Sequence, residues 1–337
     1  MKIINEGSVR VDLLGGTLDL FPINLVLDKV HTLNLATSLT ARVEIEEIED
    51  KNVIFVSEDY DSTITISIDD LQLISQLKSK LGPFEFVSRI VKYFNPNVGL
   101  RIKLSSGAPP GSGLGGSSAM GAVLFSGLAN FFNRSIGPLE IVKIVQGIES
   151  KILNAGPAGY QDYFPSQFGG ILSLTPDYSG VNVEQLYNKD FASFLEGNVR
   201  LIFSGESRNS GINNWEVYKG FFDGNQEIRS GLLEIADISL QAYNEIKKMN
   251  FDVFLSLIGK EGELRESLFP SILTEKMLLF KRELFKLNSN AGMKVCGAGG
   301  GGCFIITNSN SDDISSLLDE YKMKELPFKI SSPKETK

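Results

Sequence analysis

Residues Ser8–Leu14 and Leu33–Ile48 alternate apolar with polar side chains, the two-residue repeat of strands buried on one face. Lys51–Ser57 and Ser62–Ile68 repeat it with Val, Ile, Phe and Thr, residues that suit a pleated surface. Gln72–Lys80 and Pro83–Tyr93 then read as helices, and Leu100–Leu104 as a short strand running into a glycine-rich stretch. Ser117–Phe132, apolar and rich in small residues, predicts a buried helix. Pro138 opens another at its first turn, with Ile141, Val145, Ile148 and Ile152 as one apolar stripe. Ile171–Leu174 and Val199–Phe203 read as strands on either side of a turn-rich break at Pro176–Gly180. Helices are expected over Glu227–Met249, Phe251–Glu266 and Leu273–Leu287. Lys294–Val295 and Cys303–Thr307 read as strands joined by a glycine turn, followed by a helix at Ser311–Tyr321 and a strand at Phe328–Ile330. Both halves mix antiparallel-looking strands with helices, so the expected class is α+β. The break at Pro176–Gly180 divides the chain into an expected N-terminal domain, 1–175, and a C-terminal one, 176–337.

Composition removes several functions. Of 337 residues, 33 are Lys or Arg and 41 Asp or Glu, a net charge of −8, and no basic run could track a nucleic-acid backbone. No apolar run approaches the length of a membrane span, and the first ten residues, MKIINEGSVR, lack the apolar core of a secretory signal. Cys296 and Cys303 are too few for a disulfide framework and are expected as buried thiols. The single histidine, His31, removes multi-histidine metal sites, and no G-x-S-x-G elbow accompanies it for a Ser-His-Asp triad. It reads as a structural residue near a strand start. A cytoplasmic protein, monomer or homodimer, is expected.

Glycine points toward a ligand. Of 33 glycines, five fall within 107–116 and five within 297–302. Both runs satisfy G-x-G-x-x-G, at Gly111, Gly113, Gly116 and at Gly297, Gly299, Gly302. The dinucleotide reading needs a strand before, a helix after and an acidic residue about twenty positions on, and neither run meets all three. A P-loop and a protein-kinase H-R-D are absent as well. In the first run, P-P-G-S-G-L-G-G-S-S-A, prolines set the entry and glycines let backbone N–H groups approach a ligand. Pro110, Gly111, Gly113, Leu114, Gly115 and Gly116 would form the loop, with Ser117 and Ser118 capping the helix behind it. Positive charge at a helix N-terminus suits a polyphosphate, and a serine hydroxyl can reach its Mg²⁺. The alternative is a tight helix-packing turn.

This loop resembles the central ATP-binding motif of the GHMP kinases. Val9–Asp19, VRVDLLGGTLD, is similar to the family's N-terminal motif, in the G-G-x-x-D form of heptose-phosphate kinases and the kinase part of fucokinases. Cys296–Cys303, CGAGGGGC, matches the C-terminal motif, a glycine turn that buttresses the phosphate loop. Gln161–Gly170, QDYFPSQFGG, resembles the stretch found in heptose 7-phosphate kinases and lacks the Pro-Ser-Gly-x-Asp form usual in mevalonate kinases. The resemblance implies a domain like the second domain of ribosomal protein S5, then a ferredoxin-like domain, with ATP and acceptor meeting between them. It further implies that Asp162 is the catalytic aspartate and Arg10 the basic residue near the acceptor hydroxyl. Glu149 would hold Mg²⁺ with Ser117 or Ser118; Gly116 replaces a serine common in relatives, and an ungapped match prefers Ser117. Asp19, with Gly16, would contact sugar hydroxyls. The implied acceptor is a small molecule, a sugar or sugar phosphate. The alternatives are mevalonate or phosphomevalonate, or an inactive nucleotide-binding regulator. Arg208, in the polar segment Ser204–Trp215, reads equally as a substrate contact or as a brace for the loop.

Overall fold

The alternating segments of the first third pair into one sheet. The structure, a computed structural model, describes residues 1–74, 76, 78–153, 158–207, 212, 214–308 and 311–335. Strand β1 (Lys2–Leu14) lies antiparallel along β2 (Thr32–Ile48), with register shifts at Ser8/Arg10 and Asp12/Leu14. β3 (Asn52–Ser57) and β4 (Ser62–Ser67) form a hairpin, and β3 runs parallel to β5 (Gly99–Ser106). With β6 (Ile171–Asp177) and β7 (Gly180–Gln185), the order is β4-β3-β5-β2-β6-β7, and β1 pairs with β2.

Two expectations about this half change. Gln72–Lys80 does not form one helix. Ser67 Oγ accepts the Asp70 N–H and starts a short helix earlier, Ile68–Gln72, while a second forms at Lys78–Leu81; residues 75 and 77 lie outside the described residues. The break at Pro176–Gly180 is the turn of the β6–β7 hairpin, where Asp177 Oδ1 accepts the N–H groups of Ser179 and Gly180. Position 175/176 therefore lies inside β6, and the first sheet continues to Gln185.

The second half holds β8 (Val199–Phe203), β9 (Gly292–Val295), β10 (Cys303–Thr307) and β11 (Lys324–Glu325) in the order β11-β8-β10-β9, all antiparallel. Helices lie between β8 and β9 and between β10 and β11, which is the ferredoxin-like arrangement. The strand expected at Phe328–Ile330 is not formed. Pro327 cannot donate to a ladder, and only Ile330 makes a bridge, to Thr37 of β2. The tail instead returns to the first sheet, where Gly170 donates to Ser331 O and Ser331 to Ala36 O, both at 2.9 Å.

The expected buried helix is Gly116–Phe131, whose apolar residues lie on all sides within the first core. Short helices at Phe164–Phe168, Lys189–Asn198 and Asn214–Phe222 go unread in the sequence, because one to three turns carry little periodicity. The two faces of β9 and β10 divide between cores. Cys296, Cys303 and Ile305 join the core of the first sheet, while Val295, Phe304 and Ile306 join that of the second. The fold is α+β in two parts, and the glycine turn between β9 and β10 stands at their junction.

Candidate active site

Strand β5 delivers the first glycine run to the start of the helix Gly116–Phe131. Gly111, Gly113 and Gly115 have φ of 71°, 74° and 71°, a region that costs another residue about 1–2 kcal/mol. Gly115 is the N-cap and offers no side chain, so Ser117 and Ser118 are first-turn residues and not the expected caps. Leu114 turns into the first core, and its carbonyl accepts the Arg10 N–H at 3.0 Å. The second glycine run packs directly behind. Cys303 N–H donates to Ser112 O at 2.6 Å, and a Cβ on Gly113 would lie 2.6 Å from Cys296 O. One on Gly302 would lie 2.7 Å from Ser112 O. Side chains are excluded here because backbone meets backbone.

Arg10 emerges from β1 beside a register shift and reaches across this loop. Its Nε and Nη2 lie 2.8 and 2.7 Å from Asp162 Oδ1, and Nη1 donates to Gly113 O at 2.6 Å. Arg10 is buried, whereas the Asp162 side chain keeps 28% exposure toward the cleft. Burial by itself would lower the Arg10 pKa, but the Asp162 and Asp12 carboxylates outweigh it and raise it.

Glu149 comes from the helix Pro138–Leu153. Its Oε2 accepts Ser118 Oγ–H at 2.8 Å and Tyr163 O–H at 2.6 Å. Burial raises the Glu149 pKa, and among the described residues no cation pairs with it. An unpaired carboxylate beside two serines at a helix N-terminus is a donor set of hard oxygens, fitted to a divalent cation shared with phosphate. Tyr163 was not singled out in the sequence, although it directly follows Asp162.

A 3₁₀ turn at Gly16–Leu18 leads to Asp19. Asp19 Oδ2 accepts the Gln161 N–H at 3.1 Å, and Gln161 Nε2 donates to Gly16 O at 3.1 Å. Burial, and next the nearby Asp162 charge, push the Asp19 carboxyl up to about 8. One cleft of about 420 Å³ touches Arg10, Gly16, Asp19, Ser117, Glu149 and Asp162. Pro110, Gly111, Gly113, Gly115, Gly116 and Ser118 also line it, whereas Leu114 does not. Its lining also includes the apolar Phe84, Phe86 and Val87, together with Asp59 and Tyr60. Arg208 lies outside the described residues. His31 is away from the cleft, stacked on Tyr243 at 4.3 Å and bonded to Ser173 Oγ.

Residues 84–170 match the family profile described as "GHMP kinases N terminal domain". The matched segment holds the phosphate loop, Glu149 and Asp162, so this part of the chain resembles the GHMP kinases. The family consists of ATP-dependent phosphotransferases that act on hydroxyl groups. The chain is 25% identical to a bifunctional fucokinase/GDP-fucose pyrophosphorylase of Arabidopsis thaliana, over 94% of the chain but only 31% of that protein. It is 27% identical to a D-glycero-alpha-D-manno-heptose 7-phosphate kinase of Campylobacter jejuni, over 90% of this chain and 88% of that one. A mevalonate kinase of Methanocaldococcus jannaschii is 25% identical, over 91% of each chain. The fold also superposes on a crystal structure of a mevalonate kinase with a TM-score of 0.74 at 21% identity, covering 98% of this chain and 99% of the other. That likeness extends over both parts of the fold. Among the described residues, no helix is long and apolar enough to cross a membrane.

Proposed function

We propose that the chain transfers the γ-phosphoryl group of ATP to a hydroxyl of a sugar or sugar phosphate. The observation that carries this reading is the single guanidinium of Arg10 bound both to Asp162 and to the phosphate-loop carbonyl of Gly113. Phosphoryl transfer asks a protein mainly for positioning and charge neutralisation. The contacts from Arg10 to Asp162 fall on Oδ1, which leaves Oδ2 to accept or orient the acceptor hydroxyl proton. Arg10 lies beside that hydroxyl and favours its ionised form.

The loop from Pro110 to Gly116 and the first turn beyond it would receive the polyphosphate on backbone N–H groups. Ser117 or Ser118, with Glu149, would hold Mg²⁺, which neutralises phosphate charge when bound. The contact between Ser118 and Glu149 supports Ser118 at least as well as Ser117. Asp19, beside Gly16, would accept hydrogen bonds from acceptor hydroxyls.

Mevalonate is the second reading, supported by the 25% identity to a mevalonate kinase. Asp19 beside Asp162 suits an acceptor rich in hydroxyl groups, as a sugar is. The test is ADP release over a panel of heptose 7-phosphate, fucose, galactose and mevalonate. A sugar or sugar phosphate should be turned over, and Asp162→Asn should lower kcat by about 10² or more while retaining Mg·ATP binding. Turnover of mevalonate alone, or full activity in Asp162→Asn, overturns the reading.

A further inference from the structure

Four charged side chains, one of them Arg265 on the cleft lining, meet beside the cleft and are assigned no part in the proposed transfer. Asp12 lies on β1 two residues beyond Arg10, Lys294 lies on β9, and Glu261 and Arg265 stand one turn apart on the helix Phe251–Leu268. All are essentially inaccessible to solvent. Lys294 Nζ is 2.8 Å from Asp12 Oδ2 and 3.5 Å from Glu261 Oε1, and Arg265 Nη1 is 3.8 Å from Asp12 Oδ2. Two positive charges offset two negative ones, but apolar residues of equal volume would hold a core as well or better. Stability alone does not account for this group.

The contacts leaving the group do. Glu261 Oε2 accepts the Gly15 N–H at 2.7 Å, and Thr32 Oγ1 donates to Gly15 O at 3.2 Å, so both sides of the Gly15 backbone are held. Gly15 sits at φ 73°, immediately before the turn that carries Asp19, and a Cβ on Gly16 would overlap the Asp12 carboxylate. Arg265 donates to Val295 O at 2.8 Å and to Gly297 O, at the turn behind the phosphate loop. Thus a helix of the second half grips the acceptor side of the first half by one carboxylate.

We propose that Glu261 is a positioning residue for acceptor binding: it anchors Gly15, and so the Asp19 turn, to the second half of the chain. Lys294, itself paired with Asp12, lies 3.5 Å from the other oxygen of the Glu261 carboxylate. The inference rests on the reading of Asp19 as the acceptor contact.

The experiment compares Glu261→Ala, Glu261→Asp and Glu261→Gln in the full chain. One readout is amide hydrogen exchange over residues 13–20 against residues 111–119, taken without acceptor. The other is the KM of whichever panel sugar is turned over, against the KM of Mg·ATP. Alanine, and aspartate with its shorter reach, should speed exchange over 13–20 and raise the acceptor KM by about tenfold or more. Exchange over 111–119 and the Mg·ATP KM should stay within about twofold. Glutamine, whose amide oxygen has the same reach, should restore most of both. Uniform acceleration of exchange in both segments, unchanged exchange in Glu261→Ala, or equal rises in both KM values overturn the proposal. Should the alanine variant fail to fold, indistinguishable behaviour of the aspartate and glutamine variants overturns it equally. Exchange needs no acceptor, so failure of the sugar-kinase reading would be seen separately, in the panel.

Discussion

Arg10 and Asp162, 152 positions apart, are joined through one oxygen: Nε at 2.8 Å and Nη2 at 2.7 Å both reach Asp162 Oδ1. The third arm of the same group, Nη1, reaches Gly113 O at 2.6 Å. A planar fork makes these contacts together, and a lysine ammonium cannot. Arg10→Lys is therefore expected to lower kcat by about 10²-fold while changing the Mg·ATP dissociation constant only a few-fold. Steady-state kinetics with a direct nucleotide-binding titration checks this; an unchanged kcat would remove the fork from the mechanism.

Ser117 and Ser118 can be separated. Ser118 Oγ is 2.8 Å from Glu149, at a wall of the cleft that would hold Mg²⁺. Ser118→Ala should raise the Mg²⁺ concentration needed for half-maximal activity by about tenfold, the loss of one oxygen ligand, and Ser117→Ala should raise it less. The check is a Mg²⁺ titration at saturating ATP. The reverse ranking would assign the ligand to Ser117.

Asp19 carries a pH signature. Its folded-state value of about 8 lies above the ordinary 3.8, so the unfolded chain releases this proton first. The ligand-free protein should then lose stability from Asp19 as pH rises from about 4 to about 8, with no further loss above. Asp19→Asn removes that dependence. Thermal melts between pH 5 and 9 should show the variant gaining on the parent as pH rises, while its acceptor KM increases about tenfold or more. Parallel melting curves for the two proteins would refute the burial argument.

Two glycines make opposite demands. Gly113 has φ 74° and faces Cys296 O at a hypothetical Cβ distance of 2.6 Å, so Gly113→Ala should cost about 2 kcal/mol or more and impair ATP binding. Gly147 lies within the helix Pro138–Leu153 with nothing within 4 Å of a Cβ. Gly147→Ala should stabilise by about 0.5–1 kcal/mol. Denaturant unfolding of both variants measures the contrast.

Much of this site is legible in the sequence because its constraints are local. A backbone at positive φ demands glycine wherever the rest of the chain lies, so the two glycine runs stand out from their residues alone. The alternation of β1 and β2 and the small apolar residues of Gly116–Phe131 likewise report their own surroundings. Asp162, Glu149 and Arg10 stand out through motif resemblance, and tertiary structure brings all three to the cleft. Tyr163, Lys294, Glu261 and Arg265 do not, since a buried charge or hydroxyl and a solvated one look alike in a sequence.

The sequence by itself therefore determined the α+β class, the glycine-lined loop and the candidate catalytic and metal-binding residues. Only tertiary structure decided which of them meet. It folded the Pro176–Gly180 break into the first sheet, carried the tail past Phe328 back to β2, and set Glu261 against Gly15 across 246 positions. Partnering at that range is settled by which surfaces bury together and which charges then find an opposite, and no local pattern encodes either.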